Sequence, residues 1–222
     1  MLTLHHLNDS RSQRILWLLE ELGTPYELVR YQRNQQTRLA PPELARIHPL
    51  GKSPVIVDGD IRIAESGAIV DYIIRRYGKG AMMPAPGSAE YETYNEWLHY
   101  AEGSAMPPLL LKLLFTLMPK RAPALLRPLV RKVSSQALTT LVNPQLKQHM
   151  NFWEEELSKS TWFAGNEFSA ADIQMSFPLE AAAARGGLEQ GHPKAMAFLE
   201  RVHARPAYQR ALEKGGPYQV GR

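Results

Sequence analysis

The sequence predicts a protein of two parts, an α/β N-terminal half and an all-helical C-terminal half. Strand and helix patterns alternate over residues 2–77, and strand patterns are absent from the rest of the chain. Between the two parts, residues 78–89 are rich in Gly, Pro and small side chains. Because an α/β run followed by a helical run indicates two packed units, we expect domains at 1–80 and 88–222 with a linker at 81–87.

The first unit of the N-terminal half has a strand–helix–strand pattern. Residues 2–7 are short and apolar, which predicts a strand. Leucines at helical spacing follow as far as Leu22, and Gly23 is the residue type that often comes directly after a helix. Residues 26–31 alternate and are rich in β-formers, so the unit favours two parallel strands.

The second unit has a strand–strand–helix pattern. A short helical pattern at residues 43–47 precedes an apolar run at 55–57. Asp58-Gly59 is a strong hairpin signal, so the chain is predicted to return as a second strand. Residues 66–77 then follow a helical pattern. The N-terminal half is therefore predicted to be βαβ followed by ββα.

The C-terminal half shows helical patterns only. They cover residues 89–106, 108–118, 124–158, 169–185 and 193–203. Proline lacks the N–H that a helix interior needs, so kinks or breaks are expected at Pro128 and Pro144. Ser169 and Asp172 have the spacing of a capping box, which marks the start of one helix and stabilises it by about 1 kcal/mol.

Composition narrows the possible functions. The chain has no cysteine, which excludes disulfides, cysteine-ligated zinc and a cysteine nucleophile. A formal net charge of +4 favours an anionic small substrate and is too weak to indicate nucleic acid. The N-terminus lacks a signal-peptide pattern, and no apolar run approaches the roughly 20 residues that cross a bilayer. We expect a cytoplasmic protein with no nucleic-acid or membrane partner.

One basic cluster lies in the helical half. Lys120, Arg121, Arg127, Arg131 and Lys132 fit an acidic partner, a membrane surface or simply a solvated helix face. Three prolines in the same stretch interrupt any long amphipathic helix. We therefore expect the solvated face.

Three short segments carry polar groups suited to binding. The first is the turn from Asn8 to Ser12, where the first strand meets the first helix. A helix N-terminus favours an anion, and a hydroxyl in this turn can donate to that anion. Plain helix capping is the alternative, because Asn, Asp and Ser are preferred cap residues.

The second segment is Ser53-Pro54, directly before the predicted strand at 55–57. The cis form of an X–Pro bond costs only ~0.5–1 kcal/mol. A cis bond here would turn the backbone of Val55 outward, where it could pair with an extended peptide. An ordinary trans proline at a strand start is the alternative.

The third segment is Glu65-Ser66, at the start of the following helix. Ser66 can cap the helix, and an anion placed there would meet free N–H groups. Glu65 can accept a hydrogen bond from an ammonium group. The pair thus matches the zwitterionic end of an amino acid, with a cap and a surface acid as the alternative.

Taken in order, these segments resemble the cytosolic glutathione transferases. The matching stretches are SRSQRILWLLEELG, HPLGKSPVIVDGD, AESGAIVDYI and FAGNEFSAADI, and the resemblance covers nearly the whole chain. SRSQRILWLLEEL and WLHYAEGSAMPPLL are most similar to the fungal and bacterial branch typified by yeast. The resemblance implies a thioredoxin-like domain that binds glutathione, a helical-bundle domain that shapes the second-substrate pocket, and a homodimer.

The resemblance also implies a serine-type enzyme. Ser10 would hydrogen-bond the sulfur of glutathione, with Ser12 or the backbone N–H of Arg11 as alternatives. Tyrosine-type members carry their hydroxyl on the first strand, where this chain has His5 and His6. The absence of cysteine disfavours the thiol-exchange branch, whose chemistry needs a protein thiol.

The glutathione-binding residues that the resemblance implies are Lys52, Ser53, Pro54, Val55, Glu65 and Ser66. Val55 would pair its backbone with the cysteinyl unit, and Glu65 and Ser66 would hold the γ-glutamyl amino and carboxylate groups. Lys52 would lie near the glycyl carboxylate. Glu102 is the candidate acid that approaches the γ-glutamyl ammonium from the neighbouring subunit.

The activity that the resemblance implies is conjugation of the glutathione thiolate to hydrophobic electrophiles in detoxification, with hydroperoxide reduction as a further reaction. Glutathione is then a co-substrate and no metal is needed. The electrophile pocket is expected to include His99, Met106 and Leu110, although the last two suit a core equally well. The alternative is a catalytically weak glutathione-binding or regulatory protein with the same fold.

Overall fold

A four-stranded mixed sheet forms the centre of the N-terminal part. In a computed structural model, which describes residues 1–220, its strands are β1 (Leu2–Leu7), β2 (Tyr26–Tyr31), β3 (Val55–Asp58) and β4 (Ile61–Ala64). The strand order is β2-β1-β3-β4. β1 and β2 are parallel, whereas β3 is antiparallel to both β1 and β4. The βαβ–ββα arrangement predicted from the sequence is confirmed.

Three helices accompany the sheet, namely α1 (Ser12–Leu22), α2 (Glu43–Ile47) and α3 (Ser66–Tyr77). Gly23 ends α1 in the left-handed conformation, with φ at 59°, and its N–H bonds to the carbonyl of Leu19. A residue without a Cβ adopts this conformation at no steric cost, which is why the sequence pattern located the end of α1 correctly.

The C-terminal part is helical throughout. Its helices are α4 (Ala89–Tyr100), α5 (Met106–Arg121), α6 (Arg127–Ala137), α7 (Asn143–Lys159), α8 (Ala170–Arg185), α9 (Pro193–His203) and α10 (Pro206–Gly215). The last of these was not predicted from the sequence. The predicted domain ends at residue 222, and its last two residues lie outside the described part of the chain. No helix within residues 1–220 is both long enough and apolar enough to cross a membrane.

Two π-helical segments make long continuous rods out of shorter helices. Ala101–Ala105 joins α4 to α5, and Leu138–Val142 joins α6 to α7. A kink or break was expected at Pro144, and of these the break is wrong. The helix is continuous there, because this proline lies in the first turn of α7, directly after a π-helical segment, where its missing N–H is tolerated. Near Pro128 the helix is interrupted, as expected, by a short connection between α5 and α6. Pro128 itself lies in the first turn of α6.

Helix α1 lies at the centre of the molecule. Its residues from Ser12 to Glu20 are all buried, because α1 packs against β1, α3, α8 and α10. Trp17 is fully buried and meets the ring of Tyr208 edge-on, with the ring centroids 5.3 Å apart. The helix that begins at the Ser10 turn is thus held by both parts of the chain.

Ion pairs fix α10 against α1. Glu20 accepts from Lys214 at 2.6 Å and from Arg210 at 3.1 Å. Glu21 pairs with Arg205 at 2.5 Å. Since Glu20 is almost fully buried, its pairing with two cations compensates for the lost hydration of the carboxylate.

The predicted capping box at the start of α8 is confirmed. The carboxylate of Asp172 accepts from the N–H of Ser169 at 2.9 Å and from the N–H of Phe163 at 2.8 Å. Burial raises the pKa of Asp172 to about 6 against the opposing effect of these hydrogen bonds. The carboxylate therefore joins the start of α8 to the preceding turn.

We expect Asp172→Ala to lower the free energy of unfolding by about 2–4 kcal/mol, because it removes a cap and leaves two buried N–H groups without acceptors. Urea denaturation near neutral pH measures the change. Asp71→Ala, which removes an exposed acid paired with Arg75, is the matched control and should have little effect. Equal losses in both variants would contradict this role.

Candidate functional site

Three chain segments meet at one edge of the sheet. Val55, the first residue of β3, lies opposite His5 near the end of β1 and opposite Ala64 at the end of β4. The turn after β1, the Ser53-Pro54 bond before β3 and the Glu65-Ser66 pair after β4 therefore lie along the same edge. The three segments selected from the sequence are brought together by strand register alone.

The Ser10 hydroxyl lies in the turn that leads into α1. Its Oγ is 2.7 Å from the carbonyl oxygen of Leu7 and 2.8 Å from Oγ of Ser12. The N–H of Ser12 donates to the same Oγ at 3.2 Å. The Ser10 hydroxyl thus has two alternative internal acceptors. Because Ser10 is 5% exposed, the hydroxyl lies just below the surface.

Ser12 is more deeply enclosed than Ser10. It is fully buried, and its Oγ lies 2.9 Å from Nδ1 of His6 while accepting from the N–H of Leu7 at 3.2 Å. Burial lowers the pKa of His6 to about 4, against the opposing hydrogen bond to the backbone of Gly215. The ring is therefore neutral near pH 7, and one of its nitrogens can accept from a hydroxyl.

Gly215 at the end of α10 packs directly on this turn. A Cβ at this position would lie 2.6 Å from Oε1 of Gln13 and 3.2 Å from Nε2 of His6. A larger residue would require the side chain of Gln13 to move away, so the glycine permits the close approach as it stands. The end of α10 is therefore part of the wall around the Ser12–His6 pair, a contribution that the sequence pattern did not indicate.

The Ser53-Pro54 peptide bond is cis. Ser53 Oγ donates to the carbonyl of His5 at 2.8 Å and accepts from the N–H of Leu7 at 3.2 Å. The expectation that Val55 turns its backbone outward is wrong, because Val55 lies between two paired strands. Ser53 bonds β1 through its side chain rather than its backbone, and its backbone precedes the paired part of β3.

The start of α3 combines an unusual backbone with an uncapped helix end. Glu65 has φ at 72°, and no side chain caps the first turn. Ser66 is buried, whereas Glu65 and Lys52 are exposed. Ser66 therefore does not cap the helix as expected, and the first N–H groups of α3 have no side-chain acceptor.

Glu102 is held by two arginines near the Ser10 turn. Its carboxylate lies 3.0 Å from Nε of Arg11 and also pairs with Arg14. Arg14 is buried and donates in addition to the carbonyl of Gln174 in α8 at 2.7 Å. Burial lowers the pKa of Arg14, and the neighbouring Glu102 opposes that shift. Sequence reasoning missed Arg14, because its partner lies 88 residues away.

A groove between α3 and α4 connects Glu65 to Glu102. It has a volume of about 480 Å³ and is lined by Glu65, Gly67, Ala68, Asp71, Tyr91, Tyr94, Asn95, Leu98, His99, Glu102 and Gln174. Three carboxylates line it, so its character is acidic. The side-chain amide of Gln174 is buried and has no hydrogen-bond partner among the described residues.

The three residues expected to line the electrophile pocket do not meet in one cavity. His99 lines the groove that also contains Glu65 and Glu102. Met106 is buried in the hydrophobic core. Leu110 is 57% exposed and lines a separate groove of about 380 Å³ between α5 and α6. A shared helix face did not place these residues in one cavity, because successive parts of this rod pack against different helices.

Comparisons with known proteins agree with this geometry. Family models of the glutathione S-transferase N-terminal and C-terminal domains match residues 1–75 and 117–206. Glutathione S-transferase 3 of Schizosaccharomyces pombe is 35% identical over 96% of this chain and 88% of its own. Glutathione S-transferase 1 of Saccharomyces cerevisiae is 32% identical over 96% of this chain and 95% of its own.

A solved glutathione S-transferase from Actinobacillus pleuropneumoniae is 33% identical, has a TM-score of 0.78, and covers 97% of this chain and 93% of that one. The fold and the matching sequence thus define a transferase of the two-domain glutathione-dependent type. The chain belongs to the glutathione S-transferase family. Within that family it is similar to the yeast-type members, as the sequence signatures indicated.

His6 gives the site a pH dependence that can be measured. Its pKa falls from 6.5 to about 4 on folding, so the native state resists protonation. The stability linked to His6 is therefore present above pH 6.5 and is lost as the pH falls toward 4. Across this range, we expect the free energy of unfolding of the wild type to fall by up to about 3 kcal/mol more than that of His6→Asn.

Urea denaturation of both proteins at several pH values measures the difference. His99→Asn, which changes an exposed histidine, should follow the wild-type curve. If the curves of wild type and His6→Asn run parallel, His6 is not the group that loses its proton on folding.

Proposed function

We propose that the protein binds glutathione along the sheet edge formed by the Ser10 turn, Ser53-Pro54 and Glu65-Ser66. It then catalyses attack of the glutathione thiolate on hydrophobic electrophiles in the cytoplasm. The observation that supports this proposal is the register of β3, because it brings the start of α1, the backbone of Ser53 and the start of α3 to the same edge of the sheet. The family membership supports the same chemistry.

Ser10 is the hydroxyl that we assign to the glutathione sulfur. Ser12 is fully buried and is committed to His6 and to the backbone of Leu7. The Ser10 hydroxyl has one proton and two alternative internal acceptors, so it can turn that proton away from both and donate it to a sulfur at the surface. The N–H of Arg11, at the start of α1, is the second donor in reach of the same place.

The remaining contacts follow from the same edge. The backbone of Ser53, rather than that of Val55, pairs with the cysteinyl unit of glutathione. The open N–H groups at the start of α3, together with Ser66, bind the γ-glutamyl carboxylate, and Glu65 accepts from its ammonium. Lys52 is exposed beside this edge and binds the glycyl carboxylate.

The energy required is of the size that such groups supply. A free thiol has a pKa near ~8.5, and lowering it by two units needs ~2.7 kcal/mol in favour of the thiolate. A hydrogen bond to a charged group contributes ~1.5–3 kcal/mol, and a helix N-terminus adds to it. One hydroxyl at the start of α1 is therefore sufficient in magnitude.

We further propose that the working form is a homodimer. The resemblance implies that Glu102 of one subunit approaches the γ-glutamyl ammonium bound at Glu65 of the other. Glu65 and Glu102 of a single chain line the same groove, however, so this structure supports a contact of the ammonium with Glu102 of its own subunit. Arg11 and Arg14 hold Glu102 in place.

Reduction of hydroperoxides would use the same thiolate and is the second reaction that we propose to test. A protein that binds glutathione but turns over no electrophile is the competing function. The arrangement of Ser10 favours an enzyme, since a hydroxyl that donates to the sulfur stabilises the thiolate, which is the reactive form.

We expect Ser10→Ala to raise the pKa of bound glutathione by about 1–2 units and to lower kcat/KM by roughly 10- to 100-fold. Ultraviolet titration of the thiolate and turnover of chlorodinitrobenzene and cumene hydroperoxide measure the two effects. Ser158→Ala, which changes an exposed serine at the end of α7, should leave both at wild-type values.

Ser12→Ala separates the two hydroxyls. We expect it to reduce stability while retaining most of the activity, because Ser12 joins β1 to α1 inside the protein. A large loss of thiolate with Ser12→Ala and none with Ser10→Ala would overturn the assignment. Binding of glutathione by the wild type without any turnover would favour the competing function.

We expect Glu65→Gln to weaken glutathione binding by about tenfold and to leave kcat nearly unchanged, because it removes a charge partner of the ammonium and not of the sulfur. Calorimetric titration and the KM for glutathione measure this. Glu96→Gln, an exposed acid on α4, is the control. A fall in kcat without a change in affinity would place Glu65 elsewhere.

A further inference from the structure

The two rods α4–α5 and α6–α7 carry an unusual charge distribution where they meet. Residues 103–153 contain seven Lys or Arg residues and no Asp or Glu. The whole chain has 26 basic and 22 acidic side chains, so the remaining residues have more acidic than basic groups. The net positive charge of the protein is therefore located entirely in this helical hairpin.

The end of this hairpin also exposes large apolar side chains. We call residues 114–133 the hairpin tip. It comprises the end of α5, the connection and most of α6. Leu125 is 91% exposed and Leu129 is 63% exposed. The other exposed apolar side chains of the tip are Leu114, Met118, Leu126 and Val133.

Basic side chains surround these apolar ones. Arg127, Arg131 and Lys132 are exposed on α6, and Lys120 and Arg121 are exposed at the end of α5. None of these five cations forms an ion pair with a carboxylate within the described residues. A simple solvated face would not need exposed leucines between its charges.

We propose that the hairpin tip docks on the surface of an anionic phospholipid bilayer. Leu125, Leu126 and Leu129 enter the boundary between headgroups and acyl chains, and the surrounding Lys and Arg side chains bind the lipid phosphates. Apolar residues flanked by cations are the composition that lies in a membrane interface without spanning it. The sequence alone predicted a solvated helix face and no membrane partner. The proposal differs from both expectations.

Charge complementarity favours a bilayer over a tip-to-tip contact between two copies of the chain. A two-fold contact centred on the tip would place the same surface against itself. Because residues 103–153 include no acidic residue, that contact would set cations against cations. An anionic bilayer offers opposite charge to every cation of the tip and an apolar layer to its leucines.

Docking of this kind would place the proposed catalytic edge about one helix length from the lipid. Helix α5 has 16 residues and therefore rises about 24 Å from the π-helical segment that carries Glu102 to its own end within the tip. Glu102 in turn bonds Arg11 beside Ser10. Hydrophobic electrophiles concentrate in bilayers, so a docked protein would meet them there. The docking itself does not depend on the proposed function.

Sedimentation with lipid vesicles tests the proposal on the full chain. We expect binding to phosphatidylcholine vesicles that contain about a third phosphatidylserine, little binding to phosphatidylcholine alone, and a steep decrease with added salt. Arg127→Gln with Arg131→Gln should weaken binding by roughly 25-fold. Leu125→Ser with Leu126→Ser should weaken it by at least about tenfold.

Matched controls lie in the N-terminal part. Leu50→Ser removes an exposed leucine, and Arg46→Gln with Lys79→Gln removes two exposed cations. These controls should bind vesicles like the wild type. Because the tip residues are exposed, the tip variants should keep their turnover in lipid-free solution, which shows that they are folded.

Three results would overturn the proposal. One is the absence of binding to anionic vesicles, and another is equal loss in the tip variants and the controls. The third is an oligomer of the wild type, seen by sedimentation velocity without lipid, that Leu125→Ser with Leu126→Ser dissociates. That result would identify a second copy of the chain as the occupant of the tip.

Discussion

The complete burial of α1 is the constraint on which the rest of the structure depends. A helix that packs against a sheet on one side and against α3, α8 and α10 on the others cannot shift without moving both parts of the chain. The Ser10 turn is the start of this helix, so the position of its hydroxyl is set by the packing of the whole molecule. A rigid helix start is also what an anion site needs, since its N–H groups must already point at the ligand.

The buried guanidinium of Arg14 fixes the same end of α1 against the C-terminal part. Arg14 would be costly to bury alone, but it meets the carboxylate of Glu102 and the carbonyl of Gln174, which belong to two different helices of the C-terminal part. The pairing is directional, and so it selects one arrangement of the two parts over others that would leave the guanidinium without partners. The Glu102 carboxylate also lines the acidic groove. The residue that helps to pack the two parts together is therefore the one that we assign to a cationic group of the ligand.

Local patterns predicted most of the elements and the three segments of the site. Gly23 and the Asp58-Gly59 turn mark their boundaries through backbone geometry that only a few residue types adopt, so they can be recognised without the rest of the chain. The role of Val55 could not be predicted in this way, because it depends on which strands lie beside β3. Arg14, Gly215 and α10 were missed for a related reason, as each contributes through contacts with residues far away in the sequence. The exposed leucines of the tip look like ordinary core positions until the partners of α5 and α6 are known.

The two π-helical segments have a consequence for how the hairpin changes between related proteins. Each segment holds its turn with hydrogen bonds from residue i+5 to residue i, so each accommodates one residue more than a regular helix would. Deleting that residue would turn the segment into regular α-helix and leave the helices on either side facing the same neighbours. In a regular part of the same rod, a deletion would rotate everything beyond it by about 100°. Insertions and deletions at these two places are thus changes of length that such enzymes can absorb while the hairpin keeps the same exposed face.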